Sequence, residues 1–105
     1  MITNDQINSV ALTIESKFPI KNIFLFGSYA QGAQNAESDL DLCITARLDN
    51  YRKIDLIRAI RKEISNILTV PLDILIYDTE EFEQRAVHQN TLENKILNQG
   101  ILLNG

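Results

Sequence analysis

Apolar residues along this chain recur first with a helical period and then with a strand period. The segment TNDQ at 3–6 has the form of a capping box, and the apolar positions after it are spaced three to four residues apart. They predict an amphipathic helix that ends before Pro19. The stretch NIFLF at 22–26 is apolar on both faces and predicts a central strand, and DLDLCIT at 39–45 predicts a second strand. Between these strands, SYAQGA allows no more than one turn of helix.

A longer helical pattern occupies the middle of the chain. From Asn50 to Leu68, isoleucine and leucine side chains form one helical stripe, with basic and acidic residues mostly around it. The stretch VPLDILIYD at 70–78 then predicts a third strand, with Pro71 at its start, where a missing N–H is tolerated.

Two helices are predicted after the third strand. Asp78 and Glu81 are expected to cap a helix that runs to about Gln89, and NTLE at 90–93 can cap a last short helix that ends before Gly100. The order helix, strand, strand, helix, strand, helix, helix is typical of an α/β (α+β) fold. We therefore predict a single domain over residues 1–105, in which a small mixed β-sheet packs against helices.

Composition and charge reduce the number of functional classes to which the chain can belong. The net charge of −4 argues against direct nucleic-acid binding, because such proteins carry a basic surface to neutralise phosphates. No apolar run approaches the ~18 residues of a membrane helix, and the first ten residues lack the features of a signal peptide, so we expect a cytoplasmic protein without a membrane partner. Cys43 stands alone, which excludes an intramolecular disulfide, and we expect it to be a small buried apolar residue.

Two aspartates interrupt the second predicted strand. Successive side chains of a strand alternate between faces, so Asp39 and Asp41 share one side, roughly 7 Å apart, while Leu40 and Leu42 share the other. Asp73 repeats this pattern on the third strand. The sequence therefore predicts that three carboxylates converge on one side of one sheet, although solvated charge on an open sheet face is the simpler alternative.

Converging carboxylates call for a compensating charge. Two like charges about 4 Å apart repel by roughly 4 kcal/mol at an effective dielectric constant of ~20. The side chains must stay apart, hold a proton, or bind a cation. Oxygen ligands without nearby Cys or His suit Mg²⁺ or Mn²⁺ better than zinc, and Mg²⁺ commonly combines one or two carboxylates with substrate phosphates.

The Gly27-Ser28 turn supplies features that a phosphate needs. At the end of a strand and the start of a helix, free backbone N–H groups favour an anion, and glycine allows a phosphate to approach the main chain. The Ser28 hydroxyl adds a donor. A phosphate-binding turn beside a cation-binding strand predicts a site for a nucleoside triphosphate.

The pattern Gly27-Ser28, ten residues, Asp39-x-Asp41 and a later strand Asp73 resembles the DNA polymerase beta-like nucleotidyltransferase superfamily. More closely, FGSYAQG followed by SDLDL in a short chain is similar to the minimal nucleotidyltransferases, the MNT antitoxins encoded beside HEPN-family toxins. The resemblance covers roughly residues 5–78. It implies a nucleotidyltransferase fold and transfer of AMP from ATP to a hydroxyl acceptor, typically a tyrosine of the HEPN toxin, as in a type VII-like toxin-antitoxin pair.

The resemblance also implies roles for individual residues. Asp39 and Asp41 would hold two Mg²⁺ ions, and Asp73 would ligate the ion nearest the acceptor oxygen and help to remove its proton. The implied nucleotide-binding residues are Gly27, Ser28, Gln31 and Ser38. Gln31 stands where members commonly have arginine, which removes a positive charge near the nucleotide.

Two other functions remain open at this point. A non-catalytic antitoxin could neutralise its HEPN partner by binding alone, and Gln31 favours this alternative. Nucleotidyl transfer to a small molecule is the other, although such relatives usually carry a further domain for the acceptor. Homo-oligomers and hetero-oligomers are both compatible with the sequence. For His88 a surface or interface position, and for Tyr29, Tyr51 and Tyr77 a packing role, are expected rather than chemistry.

Overall fold

The computed structural model describes residues 2–49, 52–68 and 70–105. The predicted start of the long helix at Asn50, and Tyr51, lie outside these ranges. Helices and strands follow one another along the described chain in this order: α1 (Asn4–Lys17), β1 (Ile20–Phe26), α2 (Ser28–Gln31), β2 (Leu40–Ala46), α3 (Lys53–Ile64), β3 (Leu72–Asp78), α4 (Thr79–Ala86), α5 (Leu92–Gln99) and β4 (Ile101–Leu102). Within these ranges, none of the helices has the length and apolar character that crossing a bilayer would require.

The first helix begins with the predicted capping box. The Thr3 side chain accepts from the Gln6 backbone N–H at 3.2 Å, and the Gln6 side chain accepts from the Thr3 N–H at 2.8 Å. The helix ends at Lys17, two residues before Pro19, as the sequence predicts.

The strands form one mixed sheet in the order β3-β2-β1-β4. β1 is antiparallel to both of its neighbours, whereas β2 and β3 are parallel. A parallel pair needs a crossover, and α3 provides it. The predicted small mixed sheet, with β1 in an interior position, is confirmed.

Both faces of the sheet are covered by apolar side chains. On the first face, Ile23 and Leu25 of β1 belong to a core cluster that also includes buried residues of α1 and α3. On the second face, Phe24 and Cys43 pack in a smaller cluster with residues of α4 and α5. Cys43 is fully buried, which confirms its prediction as a small apolar residue.

A short strand at the end of the chain was not predicted. β4 has only two residues, Ile101 and Leu102, which is too few to show a period of two. Beyond it, the buried Asn104 side chain accepts from the Ile23 N–H at 2.7 Å and donates to the Lys21 carbonyl at 2.8 Å. One amide side chain thus continues the pairing of β1 past the end of β4.

Two helix ends differ from the prediction. α4 ends at Ala86 rather than Gln89, because the Thr91 hydroxyl donates to the Arg85 carbonyl at 3.2 Å and to the His88 carbonyl at 2.9 Å, which holds 87–90 as a turn. His88 is therefore exposed in this turn rather than in a helix. The predicted cap NTLE is confirmed, with Thr91 as the residue that caps α5. The long helix α3 is shorter than predicted and ends at Ile64, after which 65–67 form a turn.

Candidate functional site

Two of the predicted carboxylates meet at one end of the sheet. Asp41 is paired in register with Phe26 at the end of β1 and with Asp73 in the parallel strand β3. Leu40 and Leu42 point the other way, into the core on the first face. The structure therefore confirms the predicted separation of faces, and the strand register brings Asp41 and Asp73 side by side.

Asp39 lies just outside the strand on which it was predicted. β2 begins at Leu40, whose N–H donates to the Pro71 carbonyl at 2.8 Å, and Asp39 precedes this first sheet contact. Asp39 is nevertheless close enough for its charge to act on Asp41.

Electrostatic crowding marks Asp41 as the centre of this group. The pKa of the Asp41 carboxyl is raised from 3.8 to about 6, first by burial, then by the negative charges of Asp73 and Asp39, and by a hydrogen bond with Asp73. Asp73 itself is exposed. The site thus holds like charges together at a solvent-facing edge, where a cation would relieve their repulsion.

The carboxylate end of the sheet offers oxygen ligands to the predicted metal. In residues 2–49, 52–68 and 70–105, no three Asp, Glu, His or Cys side chains are drawn together as ligands of one ion. The contacting pair Asp41 and Asp73 offers only carboxylate oxygens, and the raised pKa of Asp41 reflects the crowded negative charge that Mg²⁺ or Mn²⁺ would offset. This pair fits a divalent cation, with Asp39 adding charge from the residue before the strand.

Gly27 occupies a position that only glycine can fill. Its φ is 73° and its ψ is −153°, a combination that side chains beyond glycine essentially never adopt. A Cβ atom at this residue would collide with a carboxylate oxygen of Asp41 and would lie 3.1 Å from the Asp41 Cγ. The turn between β1 and α2 therefore brings the Gly27 main chain directly against the central carboxylate.

A cleft of about 320 Å³ opens beside Gly27 on the second face of the sheet. Gln31, at the end of α2, lines one side of this cleft, so the predicted nucleotide-binding residues Gly27 and Gln31 share one cavity. The other side consists of α5 residues that sequence reasoning missed, including Lys95 and Gln99. Their helical spacing was visible in the sequence, but nothing there placed α5 next to the Gly27 turn.

Ser38 has a structural partner within its own loop. Its hydroxyl accepts from the Asn35 N–H at 2.9 Å, and its own N–H donates to the Asn35 carbonyl at 3.1 Å. The Asn35 side chain in turn accepts from the Glu37 N–H at 2.9 Å. These bonds shape the turn that leads into Asp39, and a contact of Ser38 with nucleotide stays a prediction.

A larger cleft lies at the opposite end of the sheet. It has a volume of about 920 Å³ and is lined by residues that include Lys21, Arg47, Asp78 and Glu83. Three of its charged residues already have partners, since Lys21 pairs with Glu83 at 3.2 Å and both Asp78 oxygens accept backbone N–H groups. It contains none of the predicted site residues, and we therefore place the functional site at the carboxylate end.

The described tyrosines are packed side chains. Tyr29 is buried in the first core, and Tyr77 is half-buried with its ring 5.4 Å from that of Phe82. Burial, followed by the charge of Glu93, raises the pKa of the Tyr77 hydroxyl, which opposes its use as a nucleophile. Self-modification is thus disfavoured at Tyr77.

Comparison with known proteins agrees with this geometry. A Methanocaldococcus jannaschii protein named as a putative protein adenylyltransferase is 32% identical over 62 residues, which span 59% of this chain and 62% of that protein. The chain thus spans about three fifths of the length of this relative.

Two solved structures share the fold. One is a toxin-antitoxin with AMP-PNP, with a TM-score of 0.51 and 24% identity over 96% of this chain and 73% of the other. The second is a mutant of the toxin-antitoxin MntA-HpeT, with a TM-score of 0.59 and 20% identity over 99% and 74% of the two chains. The family model described as nucleotidyltransferase domain matches residues 7–102, nearly the whole sequence. This chain therefore belongs to the nucleotidyltransferase domain family.

Proposed function

We propose that this domain transfers AMP from ATP to a hydroxyl group of a partner protein, in the cytoplasm, where ATP is available. The observation that carries the proposal is the position of Asp41, which lies against the Gly27 main chain on one side and the Asp73 carboxylate on the other. A phosphate bound at Gly27 would lie next to these carboxylates. The carboxylates would hold the cations that neutralise the charge of the phosphate. The family of the chain and the adenylyltransferase name of its relative support the same reaction.

Each residue of the site has a distinct role in this proposal. Gly27 leaves the space that the Asp41 carboxylate occupies and lines the cleft in which a phosphate would bind, and Ser28 supplies a hydroxyl donor. Asp41 and Asp73 would hold divalent cations, with Asp39 adding negative charge from the residue before β2. When bound, such ions neutralise charge on the triphosphate and on the leaving pyrophosphate.

The transfer exchanges one bond for another. The acceptor oxygen forms a bond to the α-phosphorus of ATP, and the bond from that phosphorus to the bridging oxygen of pyrophosphate breaks. The acceptor proton passes to an Asp73 carboxylate oxygen. Asp73 suits this step because it is exposed at the sheet edge, where a hydroxyl on another protein can reach it.

The acceptor we propose is a tyrosine of a HEPN-family toxin, which makes this domain the antitoxin of a toxin-antitoxin pair. The support is the MNT-like motif together with two structural neighbours that are toxin-antitoxin assemblies, one of them with the ATP analogue AMP-PNP. A free tyrosine hydroxyl has a pKa of ~10, so a nearby base or cation must assist its deprotonation at neutral pH.

Transfer of label from α-labelled ATP tests this function. With Mg²⁺ and a co-encoded HEPN protein, we expect one AMP on a toxin tyrosine, and a loss of at least ~100-fold in Asp41→Asn, because this change removes a charged group at the reacting centre. Asp55→Asn is the matched control, since Asp55 is exposed on α3, away from the site. Absence of label on partner, self or small hydroxyl acceptors, with folded wild-type protein, would contradict the proposal.

A second candidate is neutralisation of the toxin by binding alone, and the uncharged Gln31 in the cleft is the observation that favours it. Under this alternative, an Asp39→Ala/Asp41→Ala double variant still protects cells from the toxin. Under the transferase proposal, protection is lost although the variant still binds the toxin in a pull-down.

A further inference from the structure

One face of α5 forms a wall of the cleft beside Gly27. Leu92, Lys95, Ile96 and Gln99 line this wall, and their spacing of three or four residues places them on a single side of the helix. The wall faces the same side of the sheet as Asp41 and Asp73, because α5 packs on the second face together with Phe24 and Cys43.

Lys95 is the charged residue of this cleft. The remaining lining consists of apolar side chains, glycines and the two glutamines. Among the described residues, Lys95 forms no ion pair within 4.0 Å, whereas three other lysines each reach a glutamate: Lys17 to Glu63, Lys21 to Glu83 and Lys53 to Glu81. Lys95 is exposed and is therefore available to an anion that enters the cleft.

Because negative charge lies beside the cleft, an anionic ligand there needs a nearby positive group such as the Lys95 ammonium. Gly27 belongs both to the cleft and to the immediate contact of the Asp41 carboxylate, which is itself crowded by Asp73. A phosphate at Gly27 would be repelled by these carboxylates. A lysine side chain carries its charge on a flexible four-carbon stem, so the Lys95 ammonium can adjust its position to an anion in the cleft.

We propose that Lys95 binds the polyphosphate of a nucleoside triphosphate that lies in the cleft beside Gly27. This inference rests on the proposed nucleotide-transfer function and adds a phosphate-binding residue from a helix outside the Gly27–Asp41 motif. Its ligand is the phosphate chain rather than the base, because an ammonium group donates to anionic oxygens and the apolar part of the wall lies to either side of it.

The experiment measures the binding of ATP and of adenosine to the full chain in the presence of Mg²⁺. In Lys95→Gln, we expect the Kd for ATP to rise about tenfold or more, since hydrogen bonds to charged groups are worth that much in affinity. The Kd for adenosine should stay unchanged, and Lys95→Arg should bind ATP within about threefold of wild type, because the charge is kept. Lys62→Gln is the matched control, since Lys62 is exposed on α3, which packs on the other face.

The outcomes separate this inference from the function on which it rests. If wild type and Lys95→Gln bind ATP equally, the phosphate contact is overturned while the transferase proposal stands. If Lys95→Gln loses affinity for adenosine as much as for ATP, the contact is not with phosphate, and the inference is again overturned. If folded wild type binds no ATP, both proposals fail together. In support of the inference, the salt dependence of ATP binding should be steeper in wild type than in Lys95→Gln.

Discussion

Replacement of Gly27 by alanine is the most direct test of how the turn and the carboxylates depend on each other. The added methyl group would collide with a carboxylate oxygen of Asp41, and it would lie 3.1 Å from the Asp41 Cγ and 3.4 Å from its Cβ. The carboxylate must therefore rotate away from the turn. Asp41 is adjacent to Asp73, so this rotation disturbs the pair that we propose to hold the cation.

The size of the effect follows from two separate terms. Alanine at φ 73° and ψ −153° costs about 1–3 kcal/mol, because this backbone region is essentially restricted to glycine. For a domain of this size, that loss lowers Tm by roughly 5–20 °C. Displacement of a reacting-centre group by about 1 Å can cost ~100-fold in rate, so we expect transfer to fall by at least that factor.

Gly32→Ala provides the matched control. Gly32 also has a positive φ, 71°, but a Cβ atom there meets no atom within 4 Å. We expect a loss of about 1 kcal/mol from the left-handed backbone alone, with AMP transfer kept. Thermal unfolding followed by circular dichroism gives the stability of both variants, and label transfer is then measured well below both values of Tm.

The comparison can refute the reasoning. If Gly27→Ala transfers AMP within about twofold of Gly32→Ala, then Asp41 is not positioned through its contact with the turn. Equal stabilities of Gly27→Ala and wild type would show instead that the backbone at this residue does not need glycine.

Two further predictions concern other parts of the fold. Asp78→Ala should lower the free energy of unfolding, measured by urea denaturation, by about 1–3 kcal/mol. The reason is that Asp78 caps α4 by accepting from the Glu80 N–H at 3.1 Å and also accepts from the Leu48 N–H at 3.2 Å. A change below about 0.5 kcal/mol would count against this role. Cys43 should react with a thiol reagent at pH 8 roughly a thousandfold more slowly than an exposed cysteine, because burial raises its pKa to about 12. Labelling of the native protein as fast as that of a urea-unfolded control would contradict this burial.

Much of the fold was predictable because the apolar residues of each helix or strand recur at a regular spacing in the sequence. The alternation in DLDLCIT and the stripe of α3 reflect which side chains each element buries, and those patterns are visible without knowledge of neighbours. The two-residue strand β4 was not predictable, because its formation depends on β1 and on the side chain of Asn104 rather than on a pattern of its own.

The candidate site likewise contains residues that the sequence predicts and residues that it does not. Asp41, Asp73 and Gly27 were predictable as a group, because strand parity and a motif at fixed spacing both point to them. Lys95 was not, because its place beside Gly27 results from the packing of α5 on the second face, some seventy residues along the chain. Long-range packing of this kind leaves no local signal in the sequence.

The way in which the sheet ends has a consequence for solubility. Open strand edges invite pairing with other chains, and proteins limit this by short edge strands, prolines and covered carbonyls. Here β4 is only two residues long, and Asn104 occupies hydrogen-bonding groups of β1 beyond it. At the opposite edge, Pro71 precedes β3 and Arg61 donates to the Leu72 carbonyl at 2.7 Å. Both edges are thus blunted against aggregation by strand addition, although the sheet has only four strands.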